Sequence, residues 1–373
     1  MNMKTLSCAL LLGLLAGCSG QASLSGNEVP LFRVDPAWPK PLPEAQGVQL
    51  VLGQVSGIAV DERNGHVWVV HRPSTLLPDE WNAKESRPVT HRCCRSLPPV
   101  VEFDAEGRYL RAWGPEGAKI QWPKSEHGIY IDPAGNVWIA GNADEDNQIL
   151  KFTPDGKFLM QIGRAGKSEG SNGRTQLGRP AHMMLDPASN ELFVADGYGN
   201  RRIIVFDATS GAYKRHWGAY GGTPSDEQLP AYDPLRPPSK QFGNPVHCVR
   251  LSHDGLVYVC DRVNNRIQVF DKQGGFKREF RVEAQTLANG SVWDMVLSQD
   301  AGQQYLYVAD GANGRIYVLR RSDGTQYGSF GRTGRMAGEF KWVHNIAIDR
   351  QGNLYTAEVG FGRRIQKFLR LGG

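Results

Sequence analysis

"HGIYIDPAGNVWIAGNADEDNQILKFTPDGKFLMQIG", residues 127–163, decides the fold. It holds short runs of alternating apolar residues separated by Asp/Pro/Gly/Asn clusters, the pattern of four strands joined by tight turns. "DPAGN" and "TPDGK" are hairpin connections of the kind Gly and Asn permit. Residues 182–217, "HMMLDPASNELFVADGYGNRRIIVFDATSGAYKRHW", restate the unit, and so do residues 251–280, "LSHDGLVYVCDRVNNRIQVFDKQGGFKREF". Weaker copies begin near Gly57, Asp294 and His344. A lone four-stranded sheet cannot bury both of its faces, whereas six packed radially can, and the ring leaves little exposed edge. The repeat predicts an all-β chain folded as a six-bladed β-propeller.

The last copy runs out at Leu371, one strand short, while "VPLFRVD" at residues 29–35 has strand character and no blade of its own. Leu31 to Val34 is therefore expected to supply the outer strand of the sixth blade, paired with the strand that contains Arg364 to Phe368. Ahead of it, Lys4, the apolar run Ala9 to Leu15 and Leu15-Ala16-Gly17-Cys18 resemble a bacterial lipoprotein signal with its lipobox. The expected organisation is a signal at residues 1–18 ending at a lipidated Cys18, a tether and closing strand at 19–49, and the propeller at 50–373. Lipid would anchor the chain to a membrane without spanning it. Ser19 after the cysteine favours the outer membrane, facing the periplasm. A net charge of +5 without a basic run speaks against nucleic acid as a partner.

Four of the nine histidines recur at strand starts: "SEHGIYID", "RPAHMMLD", "NPVHCVRL" and "KWVHNIAID". The first strand of a blade is innermost, so its start faces the mouth of the central channel. Blades one to six are expected to place Gly57, His127, His182, His247, Asp294 and His344 there. His127, His247 and His344 fall on alternate blades and form a tripod. Three converging imidazoles with an open position are the ligand set of a catalytic zinc site, although other metals also accept nitrogen. His182 and Asp294 are read as a possible fourth ligand or as groups supporting the ligands.

The second strand returns to the same face, so Arg72, Tyr198 and Arg262, which follow it in blades one, three and four, should stand beside the tripod. Arg202, Arg266 and Arg315 are read as blade-turn residues. The long connections Arg72–Pro99, Gly163–Pro180 and Gly218–Asn244 lie on this face, where function concentrates. His91, Cys93 and Cys94 belong to the first of these, as a metal or thiol site or as a lid with a structural cysteine pair. Cys248 and Cys260 sit on neighbouring strands, but a simple register sets them diagonally and on opposite faces, and their pairing is left open.

Together these residues resemble the fingerprint of the peptidyl-α-hydroxyglycine α-amidating lyases, zinc propellers of NHL-repeat type. The resemblance covers residues 50–370 and rests on Arg72, the three alternate-blade histidines, "DGYGNRR" around Tyr198 and "DRVNNRIQ" around Arg262. It implies cleavage of a carbinolamine C–N bond in a small-molecule or peptide substrate. Tyr198 would be the base, Arg72 its electrostatic partner, and Arg262 a clamp for a carboxylate. Three positions depart from the family: Trp342 replaces a methionine, His182 is extra, and Asn345 replaces an aspartate that helps hold a structural calcium, so calcium gains little support. Two rival readings are a non-catalytic propeller that binds protein or glycan, and another metal-dependent lyase or hydrolase.

Overall fold

A computed structural model of the chain describes residues 29–372 apart from 46, 79, 81–92 and 116–119. The signal segment with Cys18, and His91, lie outside the described residues. The described chain is all-β. Six four-stranded sheets follow one another, joined by a small three-stranded sheet of Glu44–Ala45, Val48–Val51 and Cys94–Ser96. The first strands of the sheets are Gln54–Val60, Glu126–Ile131, His182–Asp186, Val246–Leu251, Asp294–Leu297 and Val343–Ile348. Each lies against the first strand of the next sheet, and Val343–Ile348 lies against Gln54–Val60.

Period-two alternation explains how such sheets pack. In Val67–Arg72, Val67 and Val69 enter a cluster shared with the last sheet, beside Tyr355 and Ala357. Trp68 and Val70 point the other way, into a cluster with Ile129, Val137 and Ile139 of the second sheet. Both faces are thus buried, so the strands read as near-continuous apolar runs such as "VWVV" and "VWIA". Among the described residues six apolar clusters arise this way, each drawing on two successive sheets.

Leu31–Asp35 pairs antiparallel with the final strand Ile365–Leu371, in the register Leu31↔Leu371 to Asp35↔Lys367, as the outer strand of the last sheet. Phe32 sits 5.2 Å from the Tyr307 ring and 5.1 Å from the Phe330 ring, both in the preceding sheet. The segment therefore joins two sheets.

Turns after the second strands are latched by buried ion pairs. Arg202 meets Asp196 at 2.9 Å and Arg266 meets Asp261 at 2.6 Å, with all four side chains almost fully buried. The same guanidinium groups donate to Ser171 and Gln176 carbonyls, or to Ser239 and Gln241 carbonyls. Each latch thereby ties an incoming long connection to the turn. Arg364 and Glu358 repeat the device at 2.6 Å in the last sheet. Arg315 does not: it is exposed and donates to Ser329 Oγ, a correction to its reading as a turn residue. Asp310 has no ion-pair partner among the described residues; it accepts from Asn313 and the Ala312 backbone, and burial pushes its carboxyl up to about 6.

Two outcomes test this packing. Phe32→Ala, at a half-buried site, should cost about 2 kcal/mol, below the ~3–5 kcal/mol of a fully buried phenylalanine. An unchanged denaturation midpoint would mean that the first strand holds nothing together. Asp310 has its folded pKa above its unfolded 3.8, so its contribution to stability is complete below 3.8 and is lost as pH rises through about 6. Asp310→Asn should therefore raise the melting temperature at pH 8, by about 1–3 kcal/mol equivalent, and leave it nearly unchanged at pH 4.

Candidate metal centre

The first strands of the first, second, fourth and sixth sheets carry one extra residue near their start. Val246 faces Asp261 and Cys248 faces Cys260, so His247 is the bulged residue. Val343 faces Glu358 and Asn345 faces Ala357, which makes His344 the extra one. In the second sheet the shift lies between Ile129 and Glu126, at His127. A bulge re-aims a side chain out of the regular pleat. Here it turns three imidazoles toward one another.

The bulge also corrects the expected phase. Five positions separate His127 from Asp132, His247 from Ser252 and His344 from Asp349, but only four separate His182 from Asp186. His182 is one position late, alongside Asp294, Cys248, Asn345 and Gly57. At the histidine phase the other three sheets carry Ser56, Ala181 and Trp293. The same extra residue brings Cys248 opposite Cys260, and the two are disulfide-bonded, a pairing that the sequence leaves open. Cys93 and Cys94 are joined to each other.

Each of the three histidines donates from Nδ1 to the carbonyl of the same-phase residue in the next sheet. His127 bonds Ala181 at 2.9 Å, His344 bonds Ser56 at 2.7 Å, and His247 bonds Trp293. These bonds place the proton on Nδ1 and leave the Nε2 lone pairs facing inward. The ligand atoms of the three lie within 4.8 Å of one another, all buried. Burial holds all three rings neutral, helped by their mutual proximity and by Arg72 and Arg262, and His344 is lowered to about 3. Converging neutral lone pairs call for a cation or a proton donor. Three imidazoles of fixed tautomer are suited to hold a divalent metal.

The donor at hand is Tyr198. Its hydroxyl lies 2.9 Å from His127 Nε2 and 3.1 Å from His247 Nε2. Arg262 stands beside it, its guanidinium carbon 5.9 Å from the Tyr198 ring centroid and 4.5 Å from that of Trp293. Its buried Nε has no partner among the described residues. Arg72 is braced instead: Nε donates to the Glu126 carbonyl at 2.7 Å, and Nη2 to Asn142 Oδ1 at 3.1 Å. Neither arginine makes an ion pair among the described residues. Burial lowers the pKa of both, and the ring of Tyr198 lies within their electrostatic reach.

His182 and Asp294 do not join the three histidines. Asp294 accepts from Arg250 at 2.7 and 3.0 Å, from the Met295 amide at 2.8 Å, from the Ile346 amide at 3.0 Å, and from Asn345. Arg250 also reaches the Ile346 carbonyl at 3.0 Å. That carboxylate is saturated by protein donors. His182 is buried, with Nδ1 unpartnered among the described residues and its pKa lowered by burial and by Arg250. Sequence reasoning missed Trp293 and the bracing residues Glu126 and Asn142; counting back five positions from each turn residue finds Trp293.

Alanine in place of His127, His247 or His344 should each abolish one-to-one metal binding, weakening it by more than the ~10–100-fold that losing a supporting group costs. His182→Ala should keep full metal content by elemental analysis. Metal loss in the His182 variant would return that residue to the ligand set.

No family model matches the chain. It is 26% identical to NHL repeat-containing protein 3 of Mus musculus over 362 residues, covering 92% of this chain and 85% of that protein. It is 26% identical to peptidyl-alpha-hydroxyglycine alpha-amidating lyase 1 of Drosophila melanogaster over 359 residues, covering 89% of this chain and 59% of that protein. It spans only 34% of an amidating monooxygenase of Xenopus laevis that it also matches. A streptogramin B lyase structure shares the fold alone, at 13% identity and a TM-score of 0.53, covering 88% of this chain and 97% of that one. The chain thus has an all-β fold of propeller type and is similar in sequence to NHL-repeat proteins and to the peptidyl-α-hydroxyglycine α-amidating lyases.

Proposed function

We propose that the chain is a metal-dependent lyase that cleaves a carbinolamine C–N bond, with zinc as the metal. One observation carries the reading: the Tyr198 hydroxyl sits within hydrogen-bond reach of two of the three inward Nε2 atoms, beside two arginines that have no ion-pair partner among the described residues. We read the six sheets as blades of one ring closed by Leu31–Asp35, held to a membrane by lipid on Cys18, with the outer membrane and a periplasmic site as the favoured placement.

A metal on the three histidines would supply Lewis-acid pull on a substrate hydroxyl. Tyr198 would act as the general base and accept the proton of that hydroxyl. The oxygen's electron pair closes to a carbonyl as the C–N bond breaks, and the proton passes from Tyr198 to the departing nitrogen. The products are an amide and a carbonyl compound, with no other reactant consumed. Arg262 is free to take a substrate carboxylate through its planar fork. Arg72 braces the strand that carries His127 by donating to the Glu126 carbonyl.

A binding propeller without turnover is the second reading, favoured by the NHL-repeat relative that matches over 92% of the chain. Tyr198→Phe removes only the hydroxyl. It should leave metal content and melting temperature intact while lowering turnover of a carbinolamine such as an N-acyl-α-hydroxyglycine by about 10²–10⁴. Full activity in that variant would move the base elsewhere, and absence of turnover in the metal-loaded parent would favour the binding reading.

A further inference from the structure

Trp293 stands in the fifth sheet at the phase where other sheets present histidine. It is buried, with its ring 5.8 Å from that of His344 and 6.2 Å from that of His247, and Arg262 lies over it at 4.5 Å. Trp342 meets it edge-on at 5.5 Å and 82°, and remains 40% exposed. The rings thus step outward from the histidines to the surface.

The backbone at Trp342 has φ +63°, a left-handed conformation that bulky residues rarely adopt and that costs about 1–3 kcal/mol. Asparagine or glycine would meet that demand with less strain and would leave no large ring in water. The protein therefore maintains an apolar ring where neither backbone nor core packing asks for one. Gly360 abuts the Trp342 ring, and Phe361 beside it is 75% exposed, extending the apolar rim.

We propose that Trp342 and Trp293 form an aromatic shelf beside the metal centre, which receives a planar, apolar group of the substrate. The ligand class is then a small α-hydroxy compound with an aromatic ring near its reacting carbon and an anionic group for Arg262. This rests on the lyase reading only through the position of the metal centre. The exposed face of Trp342 is the contact surface, and ring-on-ring burial adds to the area term.

The test is calorimetric titration of the zinc-loaded full chain with 3-phenyllactate and with lactate, which share the hydroxy-acid head and differ in the ring. The parent should bind phenyllactate at least ~10-fold tighter. Trp342→Asn, which suits the left-handed backbone, should reduce that advantage to under ~3-fold, leave lactate binding unchanged and keep or raise the melting temperature. Equal binding of both acids by the parent, or an advantage that survives the substitution, would overturn the shelf and leave the metal centre standing. Binding of neither acid would overturn both.

Discussion

One extra residue in an inner strand governs this molecule's site. The bulges at His127, His247 and His344 each turn an imidazole out of its own sheet and bond its Nδ1 to a carbonyl of the next. Those bonds run between sheets, so the geometry of the histidines depends on how closely the sheets approach. Glycine permits that approach. A Cβ at Gly57 would lie 2.8 Å from the His127 carbonyl, and one at Gly128 would lie 2.6 Å from that of Ala181. The last sheet meets the first through the same device, His344 on Ser56, reinforced by the Ile58 amide on Asn345 Oδ1 at 2.7 Å.

Charge is arranged in two levels. Beside the histidines, buried Arg262 and partly buried Arg72 carry positive charge with no ion-pair partner among the described residues, held by carbonyl, amide and aromatic groups. Around Asp294 the balance is complete, with Arg250 as its counter-ion and every carboxylate oxygen bonded. Buried charge without a partner is costly, so the first level is suited to an anionic ligand and the second to structure. The aromatic rings of Tyr198 and Trp293 flank Arg262 and shape the space where such a ligand would meet it.

Much of this was legible in the chain. The repeat shows because each strand is buried on both faces and each turn needs Asp, Gly or Asn. The three histidines on alternate units show because the repeat can be counted. His182 was misplaced because a bulge is invisible to period-two counting: it shifts the phase by one residue, and only the distance back from the turn aspartate reveals it. The same slip hid the Cys248–Cys260 bond, since the bulge brings those two residues face to face. Arg315 follows its turn motif in sequence yet leaves Asp310 unpaired. Trp342 reads as a strand residue, and its left-handed backbone has no sequence signature beyond its two-residue distance from His344.

The most direct test of the account is a crystal structure of the zinc-loaded protein with anomalous scattering recorded at the zinc edge. The expected result is a single strong peak bonded to Nε2 of His127, His247 and His344, at about 2.0–2.1 Å each, with all three Nδ1 atoms still on the carbonyls of Ala181, Trp293 and Ser56. A peak at any other residues, or ligation through Nδ1 with those carbonyl bonds broken, would contradict it.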